Sequence, residues 1–369
     1  MRKKWFFVLT ALVILTSVIA ACSPAATQAP AAPAATAAPA ATEAVAATAA
    51  PAATTAPAAV QIPAGCPATQ MTTADGKPWS DITIGFSEGA VDGVWRVKQV
   101  EWLKAAVEAC GAKFITTDAQ GSGAKNLSDV EDLISKGVNL LVISTYFADE
   151  VVPGIQEANA KGIPVVVLSS DLGQGADYKT FITVNNLDIA HNAGNWVLDH
   201  FKDADKIDIV ELIGREGSVA AKQRTEGFHA ILDNNPKVHW VANVTAHYMR
   251  AEAVTVMEDI LKANPDKGSI DVVYAANDEM ALGAVIALKE AGRLSEVKVM
   301  GIDGILCEDY DAIKAGEIAV SYFYPNFADE GAAAAFAILE GKPVEKKVIG
   351  QTVAIDLSNV DKYYPRCAK

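Results

Sequence analysis

The sequence predicts an α/β protein built from two doubly wound lobes. Short runs of β-branched residues alternate with helical stretches from Ile82 onward, which is the pattern of parallel strands joined by helices. The same pattern begins again at Ile207. About 300 residues follow residue 65, more than one hydrophobic core usually organises. We therefore expect two similar lobes, each with its own parallel sheet.

The first lobe is predicted to contain four strands and three helices. The strands are expected at residues 82–86, 114–117, 140–143 and 164–168. The helices are expected at residues 95–109 and 126–136, the latter followed by Gly137 as its C-cap, and in a stretch ending at residue 162.

The second lobe repeats this arrangement. Its strands are expected at residues 207–213, 240–245, 271–275 and 298–302, and its helices at residues 223–234, 251–263 and 280–291. Parallel α/β sheets bind ligands outside the carboxyl ends of their strands, so two facing lobes form a cleft lined by the loops found there.

The N-terminus has the pattern of an export signal. Three basic residues at positions 2–4 precede an apolar run over residues 5–21, and small residues lead to Cys22. The segment resembles a lipoprotein signal peptide, which implies cleavage before Cys22 and acylation of its thiol. The alternatives are an ordinary signal peptide or an uncleaved anchor. The predicted location is the cell envelope, at the outer face of the cytoplasmic membrane.

Residues 22–65 consist almost entirely of Ala, Pro and Thr. With no apolar periodicity this segment is predicted to be a disordered tether, extended enough to reach on the order of 100 Å. The formal net charge of −14 excludes a phosphate-backbone partner, which requires a basic face, so we expect no nucleic-acid binding.

No catalytic or metal-binding motif is present. The sequence lacks the GxSxG, HExxH, phosphate-loop and dinucleotide-loop patterns. The five histidines are scattered, and only His247, at a predicted strand end, is a binding candidate. We therefore expect no enzymatic activity, no cofactor and no metal.

Four cysteines follow the tether. An even number in an exported chain is compatible with two disulfides in any of three pairings, and buried free thiols are the alternative. These cysteines are Cys66, Cys110, Cys307 and Cys367.

The predicted strand-end loops combine aromatic rings with forked polar groups. Sugars present apolar C–H faces and a rim of hydroxyls, so aromatic planes together with guanidinium, carboxylate and amide groups are typical of a site for a neutral polyol. These loop residues include Trp95, Arg96, Arg224, Tyr248, Asn277 and Asp303.

Four segments resemble type I periplasmic sugar-binding proteins. Residues 273–284, VYAANDEMALGA, are similar to the most specific motif of that family. Residues 217–228, 300–304 and 85–96 match further family segments in the family's order. The resemblance covers about residues 81–355 and is strongest to ribose- and galactofuranose-binding relatives.

The resemblance implies particular ligand contacts. Arg224, Asn277 and Asp303 match positions that hydrogen-bond sugar hydroxyls, and Tyr248 and Trp95 match positions of stacking rings, with Arg96 beside Trp95. The alternative for Asn277 is a helix N-cap role only.

Two departures from the family pattern affect the expected ligand. After the fourth strand the family has Asp-Arg, whereas this chain has Ser169-Ser170-Asp171, so Asp171 is the candidate substitute. A late glutamine or glutamate is replaced by the aromatic run 322–324, which makes Phe323 a candidate contact.

The resemblance also implies the domain plan: two Rossmann-like lobes joined by a three-strand hinge. Residues 80–185 with 323–352 would form one lobe, and residues 186–322 with 353–369 the other. The crossings would lie near residues 184–187, 322–325 and 352–356. Bridges within a lobe leave such a hinge free, so the implied pairings are Cys66–Cys110 and Cys307–Cys367.

The function implied is that of an ABC transporter solute-binding protein. The chain would close around a monosaccharide or small polyol, as a monomer, and deliver it to a membrane permease. A sensory receptor of the same fold is the alternative. A repressor effector domain is disfavoured by the apparent lipoprotein signal, and an enzyme by the absence of a catalytic set.

Overall fold

The computed structural model describes residues 65–364, which form two six-stranded sheets flanked by helices. The predicted signal peptide, the lipidation site Cys22, the tether up to residue 64 and Cys367 lie outside the described residues. Both sheets have the expected α/β character, so the predicted fold class is confirmed.

The first sheet is parallel throughout and has the strand order β11-β5-β4-β3-β1-β2. Its strands are β1 (Thr83–Glu88), β2 (Lys113–Asp118), β3 (Leu140–Ser144), β4 (Val165–Leu168), β5 (Thr180–Val184) and β11 (Lys347–Gly350). The helices that connect these strands are α1 (Val94–Ala109), α2 (Gly123–Ser135) and α3 (Val152–Ala160).

The second sheet has the order β12-β10-β9-β8-β6-β7 and is parallel except for β12. Its strands are β6 (Ile207–Ile213), β7 (Val238–Thr245), β8 (Val272–Ala275), β9 (Lys298–Asp303), β10 (Val320–Phe323) and β12 (Ala354–Asp356). The helices of this part are α4 (Asn186–His200), α5 (Val219–Leu232), α6 (Arg250–Ala263), α7 (Asp278–Glu290), α8 (Cys307–Lys314) and α10 (Val360–Tyr363).

Three connections join the two sheets. The chain passes from β5 to α4, which packs on α5 beside the second sheet. It returns from β10 to α9 (Ala328–Leu339), which packs against α1 and strands of the first sheet. It crosses for the third time between β11 and β12. Each half of the molecule is therefore built from segments that lie far apart in the sequence.

The central strands of both sheets are buried on both faces, because helices cover them above and below. Leu140, Val142 and Ile143 in β3 have no exposed surface, nor do Val272 and Val273 in β8. Continuous apolar runs of this kind are the sequence signature of parallel strands, and they made the central strands predictable.

Helix starts were predicted less accurately than strands. The helix expected from residue 223 begins four residues earlier, because the Ser218 side chain accepts a hydrogen bond from Ala221 N and caps α5. Ser122 caps α2 in the same way, so α2 begins at Gly123, three residues before the expected start at residue 126. The polar N-terminal turns carry little apolar periodicity, so the pattern of buried residues alone places these starts too late.

A segment before β1 is fastened to the first half of the molecule. Cys66 and Cys110 form a disulfide with a Cα–Cα distance of 4.6 Å, as predicted. The Glu340 carboxylate accepts hydrogen bonds from Thr69 N at 2.6 Å and Gln70 N at 2.7 Å. We call residues 65–82 the N-terminal strap. Its contacts tie the start of the described chain to the ends of α1 and α9.

The second predicted disulfide involves a residue outside the described part of the chain. Cys307, at the start of α8, is disulfide-bonded. Its predicted partner, Cys367, falls beyond residue 364, so the Cys307–Cys367 pairing stays a prediction.

Candidate ligand-binding cleft

A cavity lies between the carboxyl ends of the two sheets. We call the loops after β1–β4, with the adjoining helix starts, the first rim, and the corresponding loops after β6–β9 the second rim. The cavity measures about 490 Å³ including its opening to solvent. Its lining consists of Asp92, Gly93, Val94, Trp95, Arg96, Tyr146, Ser169, Ser218, Ala220, Arg224, Tyr248, Asn277, Asp303 and Tyr324.

The first rim is organised around a buried ion pair. Glu88 ends β1, and its Oε1 lies 2.5 Å from Nη1 of Arg96 in the first turn of α1. The guanidinium carbon of Arg96 lies 4.3 Å from the centre of the Tyr146 ring and 5.1 Å from that of Trp95. This arrangement holds two rings and one cation in fixed positions at the cavity wall.

Burial dominates the electrostatics of this pair. It raises the pKa of Glu88 to about 8, against the opposing attraction of Arg96. Burial also raises the pKa of the Tyr146 hydroxyl to about 12. Tyr146 therefore stays protonated at neutral pH and can both donate and accept a hydrogen bond.

Tyr324, in the connection from β10 to α9, joins the rims at the base of the cavity. Its backbone oxygen accepts a hydrogen bond from Trp95 Nε1 at 3.1 Å. Its hydroxyl lies 3.2 Å from the Ser169 hydroxyl, and Ser169 has a φ of 72°, which is uncommon for a residue with a side chain. The tight turn at Ser169 brings its hydroxyl into the cavity wall.

Arg224 is the central cation of the second rim. Its Nε donates to Asn186 Oδ1 at 3.0 Å, and Nη1 donates to the Ala276 carbonyl at 2.5 Å. The guanidinium carbon lies 4.6 Å from the centre of the Tyr324 ring. Two protein hydrogen bonds and one ring thus fix the guanidinium, and none of the described residues accepts a hydrogen bond from Nη2.

Asn277 has two structural partners and also faces the cavity. Its Oδ1 accepts a hydrogen bond from Met280 N at 3.0 Å, so Asn277 is the N-cap of α7. Its Nδ2 donates to the Tyr248 carbonyl at 3.2 Å. The N-cap role and a place in the cavity wall are therefore compatible.

The Tyr248 ring packs directly on the backbone of Gly214. A Cβ atom at Gly214 would lie 2.1 Å from Cζ of Tyr248, so only glycine permits this contact. Across the cavity Tyr248 stacks on Tyr146, with ring centres 6.2 Å apart and planes at 13°. The two rings, one from each rim, form a continuous aromatic wall.

Asp303 presents a buried carboxylate to the cavity. It ends β9 with a φ of 138°, a region that residues with side chains rarely adopt. Burial raises its pKa well above the usual aspartate range, and the nearby Arg224 opposes that shift. Among residues 65–364, no hydrogen-bond donor is assigned to this carboxylate, so it retains acceptor capacity.

A buried acid pair supports the turn that follows Asp303. Asp278 Oδ2 accepts a hydrogen bond from Gly304 N at 2.6 Å, and Ser321 Oγ donates to the same carboxylate at 2.8 Å. The neighbouring Asp309 carboxylate accepts a hydrogen bond from Leu306 N at 2.9 Å. Burial raises the pKa of Asp278 to about 6 and that of Asp309 well above its usual range. Burial of both acids, together with the effect of Asp278 on Asp309, favours their protonated forms.

The structure brings six of the eight predicted ligand residues together at the cavity. These are Trp95, Arg96, Arg224, Tyr248, Asn277 and Asp303. Asp171 instead lines a neighbouring cavity beside β5 and α4, where it accepts a hydrogen bond from the Tyr178 hydroxyl at 2.9 Å. Phe323 is the buried last residue of β10 and does not line the main cavity.

Several lining residues were not singled out from the sequence. Tyr146 and Ser169 lie in predicted loops, and Tyr324 lies in the aromatic run that was noted, but no motif marked them. His247, the histidine candidate, lies outside the lining and pairs with Glu252 at 2.5 Å.

Residues 65–364 contain neither a candidate metal cluster nor a candidate membrane-spanning helix. No three His, Cys, Asp or Glu side chains of this part are placed to hold a metal ion. No helix in it combines the length and the apolar character needed to cross a membrane.

Comparison with known proteins gives a consistent result. Residues 84–343 match the periplasmic binding protein domain family. The chain is 33% identical over 272 residues to the ribose import binding protein of Bacillus subtilis, covering 73% of this chain and 85% of that protein. It is 29% identical over 252 residues to a galactofuranose-binding protein of Escherichia coli, covering 67% and 79%.

Solved structures show the same likeness. A protein of Mycobacterium smegmatis, crystallised in complex with β-D-fucofuranose, superposes with a TM-score of 0.72 at 30% sequence identity. The superposition covers 77% of this chain and 94% of that one. Because the cavity lies within the matched region, the comparison includes both rims.

Proposed function

The chain belongs to the periplasmic binding protein family, among the sugar- and polyol-binding components of ABC transporters, which are binding proteins and not enzymes. From this premise we propose that it captures a monosaccharide or a related small polyol between its two rims and delivers it to a membrane permease. The relatives named above bind ribose, galactofuranose and fucofuranose, which supports a ligand of this size.

The lining of the cavity is the observation that carries this proposal. Ring faces from Trp95, Tyr146, Tyr248 and Tyr324 offer stacking surfaces for the apolar faces of a sugar. Between them, Asp303 accepts and Arg224 Nη2 donates without competition from assigned protein partners among the described residues. A ring of hydroxyls satisfies both groups at once.

The charges of the lining favour a neutral ligand. Arg96 donates a hydrogen bond to Glu88 at 2.5 Å, and Arg224 lies close enough to Asp303 to lower its pKa against the effect of burial. A third pair, Asp92 and Arg215, lies at the cavity mouth. Each guanidinium thus already has a carboxyl group as its neighbour, which competes with a phosphate or carboxylate group of a ligand.

We further propose that the lobes close by bending at the three connections. One lobe would comprise residues 80–185 and 323–352, and the other residues 186–322 and 353–369. Relatives of this family work outside the cytoplasm, and we propose that this chain is held there as a monomer by lipid on Cys22. Replacing Cys22 by Ala is expected to move the protein from the membrane fraction to the soluble fraction.

A thermal-shift panel tests the ligand proposal. D-ribose, D-fucose, D-fructose and myo-inositol are compared with D-ribose 5-phosphate, each in excess. A neutral ligand at 100 times its Kd stabilises the protein by about 2.7 kcal/mol. Mass spectrometry should then recover the bound sugar chemically unchanged. Stabilisation by the phosphorylated sugar alone, or by none of the panel, contradicts the proposal.

A further inference from the structure

A second set of contacts joins the rims beside the cavity. Arg215, in the loop after β6, reaches from the second rim to the first and forms an ion pair with Asp92, in the loop after β1. Asp92 faces the cavity, whereas Arg215 does not line it. We call Asp92 and Arg215 the rim pair.

Additional first-rim groups surround the Arg215 guanidinium. Its carbon lies 5.3 Å from the centre of the Tyr146 ring, and the Tyr146 hydroxyl lies 3.4 Å from Asp92 Oδ1. A Cβ atom at Gly121 would lie 3.0 Å from Nη1 of Arg215, so the first-rim backbone also approaches it closely. Three separate first-rim loops thus converge on one second-rim side chain.

Gly217, two residues after Arg215, makes a further contact between the rims. A Cβ atom at Gly217 would lie 3.2 Å from Cε1 of the Phe147 ring, which belongs to the opposite rim. These contacts are made by protein atoms on both sides, so they need no ligand atom between them. They exist only while the rims lie close together.

We propose that the rim pair is a lock that stabilises the closed arrangement of the two rims and slows ligand release. The proposal rests on the proposed function for the ligand, but the lock itself is a property of the chain. The side chains of Arg215 and Asp92 are 23% and 28% exposed, so salt screens their attraction. A pair of this exposure is expected to change the release rate about two- to five-fold.

A distance measurement without ligand tests the lock directly. Spin labels are placed at Lys161→Cys and Lys262→Cys, which are exposed positions on opposite halves, in a Cys22→Ser background. We expect Arg215→Gln and Asp92→Asn each to shift the label distances toward a more open population. The double charge exchange Asp92→Arg with Arg215→Asp should restore the closed population.

A matched control distinguishes the loss of the rim pair from the loss of an ion pair elsewhere in the molecule. Lys289 pairs with Glu317 at 2.6 Å within the second half, and Lys289→Gln should leave the label distances unchanged. Raising the salt concentration should open the wild-type protein and not Arg215→Gln. Identical distances in all variants at all salt concentrations would overturn the proposal.

Release kinetics form the second readout, with D-ribose as the probe. We expect koff to rise about two- to five-fold in Arg215→Gln, with a smaller change in kon. If wild-type protein binds none of the sugars but shows the expected label distances, the lock stands and the ligand proposal fails. If sugar binds and the variants leave both distances and koff unchanged, the ligand proposal stands and the lock fails.

Discussion

The two rims build their shares of the cavity in different ways. The first rim fixes aromatic rings around one buried ion pair, Glu88 with Arg96. The second rim fixes polar groups through helix caps and buried acids, as at Asn277 and Asp278. We infer that the first rim mainly supplies shape and apolar contact, and the second mainly supplies hydrogen-bond specificity.

The acid pair behind the second rim gives the largest expected effect. The folded-state pKa of Asp278, about 6, lies above its ordinary value of 3.8. Its contribution to stability is therefore complete below about pH 4 and is lost as the pH rises through 6. A shift of this size corresponds to about 2 to 3 kcal/mol in the free energy of unfolding.

Urea unfolding of Asp278→Asn across pH 4 to 7 measures this contribution. The variant should lose less stability than the wild type over that range. Asp303, Glu279 and Asp309 lie near Asp278 and are present in both proteins, so the difference between the two curves isolates the contribution of Asp278. Glu290→Gln, an exposed position on the same helix, is the control, and parallel curves for Asp278→Asn would contradict a raised pKa at Asp278.

The next effect is on affinity. Asp303→Asn keeps the shape of the side chain but replaces one carboxyl oxygen with an amide donor, and we expect the sugar affinity to fall by about 1.5 to 3 kcal/mol. Asp171→Asn is the comparison, because the sequence resemblance predicts a loss there and the geometry of the cavity predicts none. Titration calorimetry with the sugar identified in the thermal-shift panel compares the two variants. Equal losses of sugar affinity would contradict the assignment of Asp303 and Asp171 to different cavities.

Asn277→Asp separates the two roles of this residue. A carboxylate oxygen still accepts the bond from Met280 N, so the helix cap should be retained, whereas the bond from Nδ2 to the Tyr248 carbonyl is lost. The lost amide donor should lower sugar affinity by about 1 to 2 kcal/mol. Asn185→Asp makes the same change at the N-cap of α4, away from the main cavity, and should leave affinity unchanged.

The smallest effect is expected at the first rim. Trp95→Phe keeps an aromatic face but loses the hydrogen bond from Nε1 to the Tyr324 carbonyl. We expect a loss of about 0.5 to 1.5 kcal/mol in sugar affinity. Trp196→Phe, which lies outside the cavity, is the matched control. A larger loss at Trp95 than at Asp303 would reverse the assignment of roles to the two rims.

Sequence predicted the second rim more completely than the first. Arg224, Asn277 and Asp303 each lie in a segment that resembles the family, and Tyr248 lies in a predicted strand-end loop, so local sequence was enough to place them at the cavity. Tyr146 acquires its place through contacts with Arg96 and Tyr248, which lie 50 and 102 positions away along the chain. No local pattern marks such a residue.

The two candidates outside the lining of the main cavity differ from lining residues by one or two positions. Phe323 is the last residue of a strand, where neighbouring side chains point to opposite faces, so Phe323 enters the core while Tyr324 faces the cavity. The positive φ of Ser169 turns the chain and places Asp171 in the adjoining cavity. The direction of the backbone at a strand end decides which side chains face the cavity, and sequence composition does not reveal that direction.

The N-terminal strap makes the two halves mechanically unequal. The Cys66–Cys110 disulfide and the hydrogen bonds to Glu340 attach residues 65–82 to the half that contains the first sheet. If the chain is held at its N-terminal end, the half that contains the first sheet stays stationary and the other half moves. Closing the cleft would then move only the half that carries the second rim, and the tether would not have to move with it.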